Sequence, residues 1–162
     1  MATIPSIPRV TPGGPAAYLG QVRQVIDGIA SAGSRTLALE ESGALCLFDQ
    51  AAGMTYTLPA PVIGTQFEFA VRVTITSNSS KVITDAATTF IVGGAALLNS
   101  GATTGQFFAA NGTTHRSING NGSTTGGIIG DRYRFTCISS TVWQVDAVMN
   151  QTGIAATPFA TS

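Results

Sequence analysis

The chain has 162 residues, an ordinary length for one domain, and 44% of them are hydrophobic, so a sizeable core can form. Only 10% are charged, where about 25% is typical, and eight basic side chains balance eight acidic ones. The basic residues are scattered, which argues against nucleic-acid binding because phosphate contacts need clustered Lys and Arg. A net charge of zero indicates a surface covered by partners in an assembly; the alternative is a neutral, Thr- and Ser-rich soluble β domain.

The start of the chain predicts an extended arm. Four of the seven prolines lie in residues 1–15, where they fix φ, remove backbone donors and push the preceding residue toward extended geometry. Such a segment is either disordered or bound along a partner. The residues that we expect to contact a partner are Ile4, Pro5, Ile7, Pro8, Arg9, Val10 and Pro12. The same residues carry neither a basic region nor an apolar run, so we expect no signal peptide.

Apolar residues at spacings of three and four (Leu19, Val22, Ile26, Ile29) predict one short helix over 16–31. This helix would close an N-terminal region spanning residues 1–33. No run of about 18 apolar residues follows, so the sequence predicts no membrane-spanning helix.

From residue 34 to residue 149 the hydrophobic period changes to two, which is typical of strands with one face in the core. The clearest strand is predicted over Gln66–Thr76. A closing hairpin is predicted from Arg132 to Ala147, with its turn at Ser139-Ser140. Many short strands between Gly-rich turns predict an all-β fold, an antiparallel sandwich or barrel of jelly-roll type. The tail, residues 150–162, is expected to be frayed or partner-bound.

One Gly- and Asn-rich stretch, residues 119–127, predicts a loop of the kind that often forms a binding surface. The candidate contact residues in it are Asn119, Asn121, Ser123 and Thr124.

Few residues are suited to catalysis. His115 is the only histidine, and it stands in a polar stretch without a nucleophile motif, so it is interpreted as a surface side chain. Cys46 and Cys137 are interpreted as buried free thiols. Asp131 and Asp146 lie on the two arms of the predicted hairpin, and we expect them to pair with Arg132 or Arg134. We therefore expect no enzyme, cofactor, metal site or small-molecule substrate.

The strand sequence over roughly residues 34–149 resembles virion proteins of tailed phages. The pattern is a small strand, a Gly turn, a Thr-rich strand ending in Leu-Pro-Ala-Pro, a Gly and a Phe-x-Phe strand, closed by a hairpin. The segments that carry it are Ser42–Asp49, Ala51–Gly53, Thr55–Pro61, Gly64–Phe69, Gly130–Tyr133 and Trp143–Val145.

The resemblance implies a capsid decoration or cement protein, or a related head or tail fibre subunit. It implies a homotrimer on the capsid surface, bound to the major capsid protein and made in the host cytoplasm. One alternative is a receptor- or glycan-binding head or tail fibre subunit that uses the loop 119–127. Another is a small glycan-cleaving enzyme that uses Asp131 and Asp146.

Overall fold

The computed structural model describes residues 23–28, 33–77, 79–99, 101 and 104–162, and almost all regular structure in them is strand. A short 3-10 helix, Leu39–Glu41, lies between the second and third strands. The strands are β1 (Val25–Ile26), β2 (Ser34–Thr36), β3 (Leu45–Phe48), β4 (Thr55–Thr57), β5 (Gln66–Val71), β6 (Ser80–Ile83), β7 (Phe90–Asn99), β8 (Gln106–Asn111), β9 (Ser117–Gly120), β10 (Arg132–Ser139), β11 (Val142–Gln151) and β12 (Phe159–Ala160).

The strands form two sheets that share one hydrophobic core. A seven-stranded sheet has the order β1-β3-β5-β10-β11-β7-β8, and a five-stranded sheet has the order β12-β9-β6-β4-β2. Buried side chains of both sheets belong to a single cluster, in which Phe69 and Tyr133 of the larger sheet join Tyr56 and Val82 of the smaller one. The predicted all-β sandwich is confirmed.

The first six strands alternate between the two sheets, so the chain winds as a flattened coil. Strands of one layer are therefore parallel to each other: β1 with β3, β3 with β5, β2 with β4 and β4 with β6. Val25 pairs with Leu45, Leu45 with Glu68, Ser34 with Thr55 and Thr55 with Lys81. The number of residues in one turn of the coil therefore differs from turn to turn, and no fixed repeat is visible in the sequence.

Both sheets are consequently mixed, whereas the sequence predicted purely antiparallel pairing. Antiparallel pairs join β5 to β10, β10 to β11, β7 to β8, β6 to β9 and β9 to β12. The long strands β7 and β11 pair in parallel over their whole length, from Phe90 opposite Val142 to Asn99 opposite Gln151. Period-two patterning identifies which residues face the core, but it does not give the direction of the neighbouring strand.

Aromatic rings fill the space between the layers. Tyr56 of β4 packs edge-on against Phe48 at 5.2 Å between ring centroids, and its ring lies 5.4 Å from that of Phe69. The Tyr56 hydroxyl donates a hydrogen bond of 2.9 Å to the Leu47 carbonyl in the opposite sheet. Contacts of this geometry add to the free energy gained by apolar burial, and the hydroxyl keeps a partner within the core.

Several predicted elements differ from the structure. The helix predicted over 16–31 is wrong at Val25–Ile26, which form β1, and most of its other residues lie outside the described part. The strand predicted over Gln66–Thr76 ends at Val71, where Arg72 and Val73 turn to donate to the Phe48 carbonyl. The loop predicted over 119–127 begins later, because Asn119 and Gly120 belong to β9.

The C-terminal tail is a further difference. It was expected to be frayed or partner-bound, yet Phe159–Ala160 form β12 and extend the smaller sheet. Phe159 is buried, and its apolar contact fixes the end of the chain.

Gly93 in the middle of β7 tests the fit between β7 and β11. It has a φ of +121°, and a Cβ atom there would lie 2.1 Å from the Val145 carbonyl oxygen. We expect Gly93→Ala to lower the free energy of unfolding by about 3 kcal/mol or more, because backbone strain and steric overlap add. The measurement is equilibrium unfolding in urea.

Gly94→Ala is the matched control, because its nearest neighbour is the Phe108 carbonyl oxygen at an ordinary 3.5 Å. We expect a change within about 1 kcal/mol. Equal effects of the two substitutions would contradict the described pairing of β7 with β11.

Candidate functional site

The outer face of the seven-stranded sheet carries a groove of about 760 Å³. It crosses six strands, from Leu45 on β3 to Phe107 on β8. A cavity of this size is within the range of protein binding sites. This groove, called the outer groove below, is the candidate functional site.

Strand register explains the composition of the outer groove. One row across the sheet runs through Ala70, Arg132, Val148, Ala96 and Phe107, each opposite the next. Because successive residues of a strand point to opposite faces, the buried aromatic residues of β5 and β10 leave their alternate neighbours on the outside. Ala70 and Ala96 are small, so the groove floor is low at these two positions, and Phe107 stands at the end of the row.

A second row carries the charges. Glu68 is ion-paired with Arg23 and with Arg134, the latter at 3.2 Å. The hydrogen bond from Arg23 is the main reason that the pKa of Glu68 lies below its usual value, and both arginine charges add to this lowering. Arg132 and Asp146 also line the groove, and neither forms an ion pair with another described residue.

The strand at the end of the groove is unusual for a sheet edge. β8, Gln106–Asn111, is the last strand of its sheet and contains no charged residue. The Phe107 side chain is 83% exposed. Natural edge strands are normally protected by charges, proline or covering segments, since an exposed apolar edge invites pairing with another chain. The edge at β8 therefore has the character of an interface.

The predicted contact loop is a rigid turn. The Asn121 side-chain oxygen accepts hydrogen bonds from the amides of Ser123 and Thr125, and its Nδ2 donates to the Thr124 hydroxyl at 2.9 Å. The Ser123 hydroxyl lies 3.2 Å from that of Thr152. The polar groups of Asn121, Ser123 and Thr124 thus have partners within the loop and the tail, and the remaining candidate, Asn119, is half-buried in β9.

The same turn occurs a second time between β8 and β9. There Asn111 accepts from the amides of Thr113, Thr114 and His115 and donates to the Thr114 hydroxyl. In both turns the following glycine, Gly112 or Gly122, has a positive φ. Both segments read Asn-Gly followed by Ser or Thr and then Thr, so local sequence alone accounts for the geometry.

His115 is held by this turn. Its Nδ1 accepts a hydrogen bond of 3.1 Å from the Asn111 amide, and its ring stacks on Phe159 at 5.8 Å. The prediction of a surface side chain is refined: the ring is half-buried and ties β12 to the β8–β9 connection.

Asp131 has a different role from the one expected. We predicted that it pairs with Arg132 or Arg134, but the buried carboxylate accepts four N–H hydrogen bonds instead. Gly127 and Ile128 donate to Oδ2 at 2.7 and 3.1 Å, and the amide and side chain of Asn150 donate to Oδ1 at 2.6 and 2.9 Å. Burial raises the pKa of Asp131, and the four donors oppose that rise. Asp131 therefore joins the loop before β10 to the end of β11.

The two cysteines are buried and free, as predicted. They lie on β3 and β10, with β5 between them. Burial raises the pKa of the Cys46 thiol to about 12 and also raises that of Cys137, so both thiols are poorly reactive at neutral pH.

The remaining predicted contact residues, Ile4 to Pro12 of the arm, lie outside the described residues. Sequence reasoning missed the outer groove. Its signals were the small-residue run Gly93-Gly94-Ala95-Ala96 in a strand and the uncharged Phe107-Phe108 pair nearby.

Within the residues that the structure describes, no group of three or more His, Cys, Asp or Glu side chains could hold a metal ion. The same part of the chain contains no helix long and apolar enough to cross a membrane. No protein-family model matches the chain, and no match was found among curated proteins or solved structures.

Asp131 provides a test of the buried carboxylate. In Asp131→Asn an amide NH2 would replace one acceptor oxygen and face backbone N–H donors. We expect a loss of about 2–3 kcal/mol in the free energy of unfolding, the range for hydrogen bonds to a charged group. Urea unfolding measures it, and Asp146→Asn on the exposed arm of the same hairpin is the control, expected to change stability by less than about 0.5 kcal/mol. Equal stability of the two variants would contradict the described role.

Glu68 provides a test of the charged row. Its pKa in the folded chain is below the ordinary value of 4.5, so its ion pairs stabilise the fold fully above that pH. The contribution is lost as the pH falls through the lower, folded pKa, and it is under about 1 kcal/mol because the pair is exposed. An NMR titration of the Glu68 carboxyl should show a higher pKa in Arg23→Gln and an unchanged one in Arg132→Gln. An unchanged pKa in the first variant would contradict the pairing.

Proposed function

We propose that this chain is a structural virion protein: a capsid decoration or cement protein that binds the outer surface of a phage head and stabilises it through oligomeric contacts. Its partners would be further copies of itself, as a homotrimer, and the major capsid protein. The N-terminal arm would contribute to these contacts, and the protein would be made in the host cytoplasm. In this role the chain is not an enzyme.

The observation that carries the proposal is the uncharged edge strand β8 with its exposed Phe107, next to an apolar groove floor. Aromatic side chains of this kind are the typical anchors of protein interfaces, and charged residues are depleted at interface centres. A chain with only 10% charged residues has a composition suited to burial against partners. These features support a binding role in an assembly.

The choice of a phage head comes from the sequence resemblance over residues 34–149. Decoration proteins stabilise a shell by repeating modest contacts around a symmetry axis, so avidity replaces a single tight contact. A sandwich with a core of aromatic residues and a buried Asp131 linkage suits this role, because a rigid body loses little conformational entropy on binding.

A second candidate function is a receptor- or glycan-binding head or tail fibre subunit. The observation that favours it is the exposed Phe107 ring near Arg132 and Asp146, which have no ion-pair partner in the described part of the chain, because aromatic faces and charged groups together bind sugars. The loop 119–127 offers less, since the polar side chains of Asn121, Ser123 and Thr124 already have partners.

The proposal is tested by co-sedimentation of the purified chain with heads of the phage that encodes it. Phe107→Asp should weaken attachment by roughly 30-fold, the effect of losing one anchor residue. Ile154→Asp is the matched control, because Ile154 is 85% exposed on the tail, comparable to Phe107, and its substitution should leave attachment unchanged. Both variants should keep the circular-dichroism spectrum of the parent.

Failure of the unaltered chain to sediment with heads would overturn the proposal. Binding to a glycan array that is lost in Phe107→Asp, together with such a failure, would favour the fibre subunit instead.

A further inference from the structure

We infer that the outer groove is the binding site for the N-terminal arm of a second copy of this chain, with Ile4, Ile7 and Val10 seated along its floor. The inference rests on the homo-oligomer of the proposed function and names the contact that would hold it together. It follows from the sequence of the arm, the length of the groove, the place where the described chain begins, and the unpaired charges.

The arm sequence has the period of a polyproline II helix. Such a helix repeats every three residues, and residues 4–12 read Ile-Pro-Ser, Ile-Pro-Arg, Val-Thr-Pro. Ile4, Ile7 and Val10 therefore share one edge. Pro-rich segments of this kind bind apolar grooves at low entropic cost, because the proline rings have already restricted the backbone.

The length of the arm segment agrees with the length of the groove. From β3 to β8 the groove crosses five strand spacings, roughly 24 Å in total. Ile4 to Val10 in polyproline II geometry extends about 19 Å, with about 9 Å between successive apolar residues. The segment can thus cross the groove from Ala70 over Ala96 and end near Phe107.

The place where the described chain begins favours a second copy over the chain's own groove. Arg23 precedes β1, at one edge of the sheet, and it is ion-paired with Glu68 on the outer face. The apolar end of the groove lies at the opposite edge, beside β8. With Val10 beside β8, residues 11–22 would have to run back across all seven strands to reach Arg23 of the same copy. A head-to-tail arrangement instead brings the β1 edge of one copy to the β8 edge of the next.

The charges of the arm and of the outer groove are complementary. Residues 1–22 contain no acidic side chain and one basic side chain, Arg9. The groove offers Asp146, which has no ion-pair partner among the described residues. Arg9 lies between Ile7 and Val10 in sequence, so it can reach the Asp146 carboxylate at the wall while both neighbours stay on the floor.

Disulfide trapping between two differently tagged chains tests the inference. One chain carries Ile7→Cys and the other Val148→Cys, and the two are co-expressed, purified and oxidised. The native thiols of Cys46 and Cys137 are buried and interfere little. We expect a covalent heterodimer on a non-reducing gel, at roughly tenfold higher yield than with Ser140→Cys, an exposed turn position away from the groove.

Two results would overturn the inference. One is equal trapping by Val148→Cys and Ser140→Cys. The other is a disulfide within one chain that carries both Ile7→Cys and Val148→Cys, without a covalent dimer in the co-expressed pair, because that result would place the arm in its own groove.

Native mass spectrometry supplies an independent readout: deletion of residues 1–15 should convert the oligomer to monomers, and a persisting oligomer would also contradict the inference. These measurements use the isolated protein. If the disulfide forms but the chain does not attach to heads, the arm contact is supported and the virion function is rejected. If the chain attaches to heads but no disulfide forms, the virion function is supported and the arm contact is rejected.

Discussion

The contact between Tyr56 and the rings of Phe48 and Phe69 is the interaction on which the rest of the structure depends. The first six strands alternate between layers, so each layer is completed only when the other is in place. Tyr56 joins the two by burying its ring between them and donating its hydroxyl to the Leu47 carbonyl of the opposite sheet. A shift of one residue in β4 would turn Tyr56 to the outside and leave this space empty. The winding of the chain is therefore determined by a few aromatic residues at alternate positions.

The same alternation decides what the outside of the larger sheet presents. Once Phe67 and Phe69 face the core, Glu68 and Ala70 must face outward, and the pairing with β10 places Arg134 and Arg132 opposite them. The outer groove is thus a consequence of core packing together with the small residues of β7. Its floor is low because Gly94 and Ala96 contribute little side-chain volume, and its charged row is positioned by strand register rather than by flexible loops.

The sequence was sufficient to predict the fold class and the faces of the strongest strands, because period-two patterning reports burial directly. The predicted hairpin of β10 and β11 is confirmed, and its buried face carries the predicted residues Tyr133, Phe135, Trp143 and Val145. Long-range pairing was not predictable: nothing local tells β7 to lie parallel to β11, which starts 52 positions later in the sequence. The outer groove was missed for the same reason, since its residues come from six strands. Asp131 was assigned to a neighbouring arginine because sequence proximity was the only guide, whereas burial beside Asn150 determined its partners.

The two edges of the larger sheet differ, and this difference bears on assembly. Beside the β1 edge, Arg23 is ion-paired with Glu68 of β5, whereas the β8 edge is uncharged and presents Phe107. A two-fold contact joins identical surfaces, so it would cover only one of these two edges in each copy and leave the other uncovered. A head-to-tail contact joins unlike edges and uses both. Such a contact produces a closed ring if the rotation between copies returns to the first, and an open filament if it does not. The closed ring is the case that fits the proposed decoration role, so the angle between successive copies, rather than the strength of any one contact, would decide whether the chain can form it.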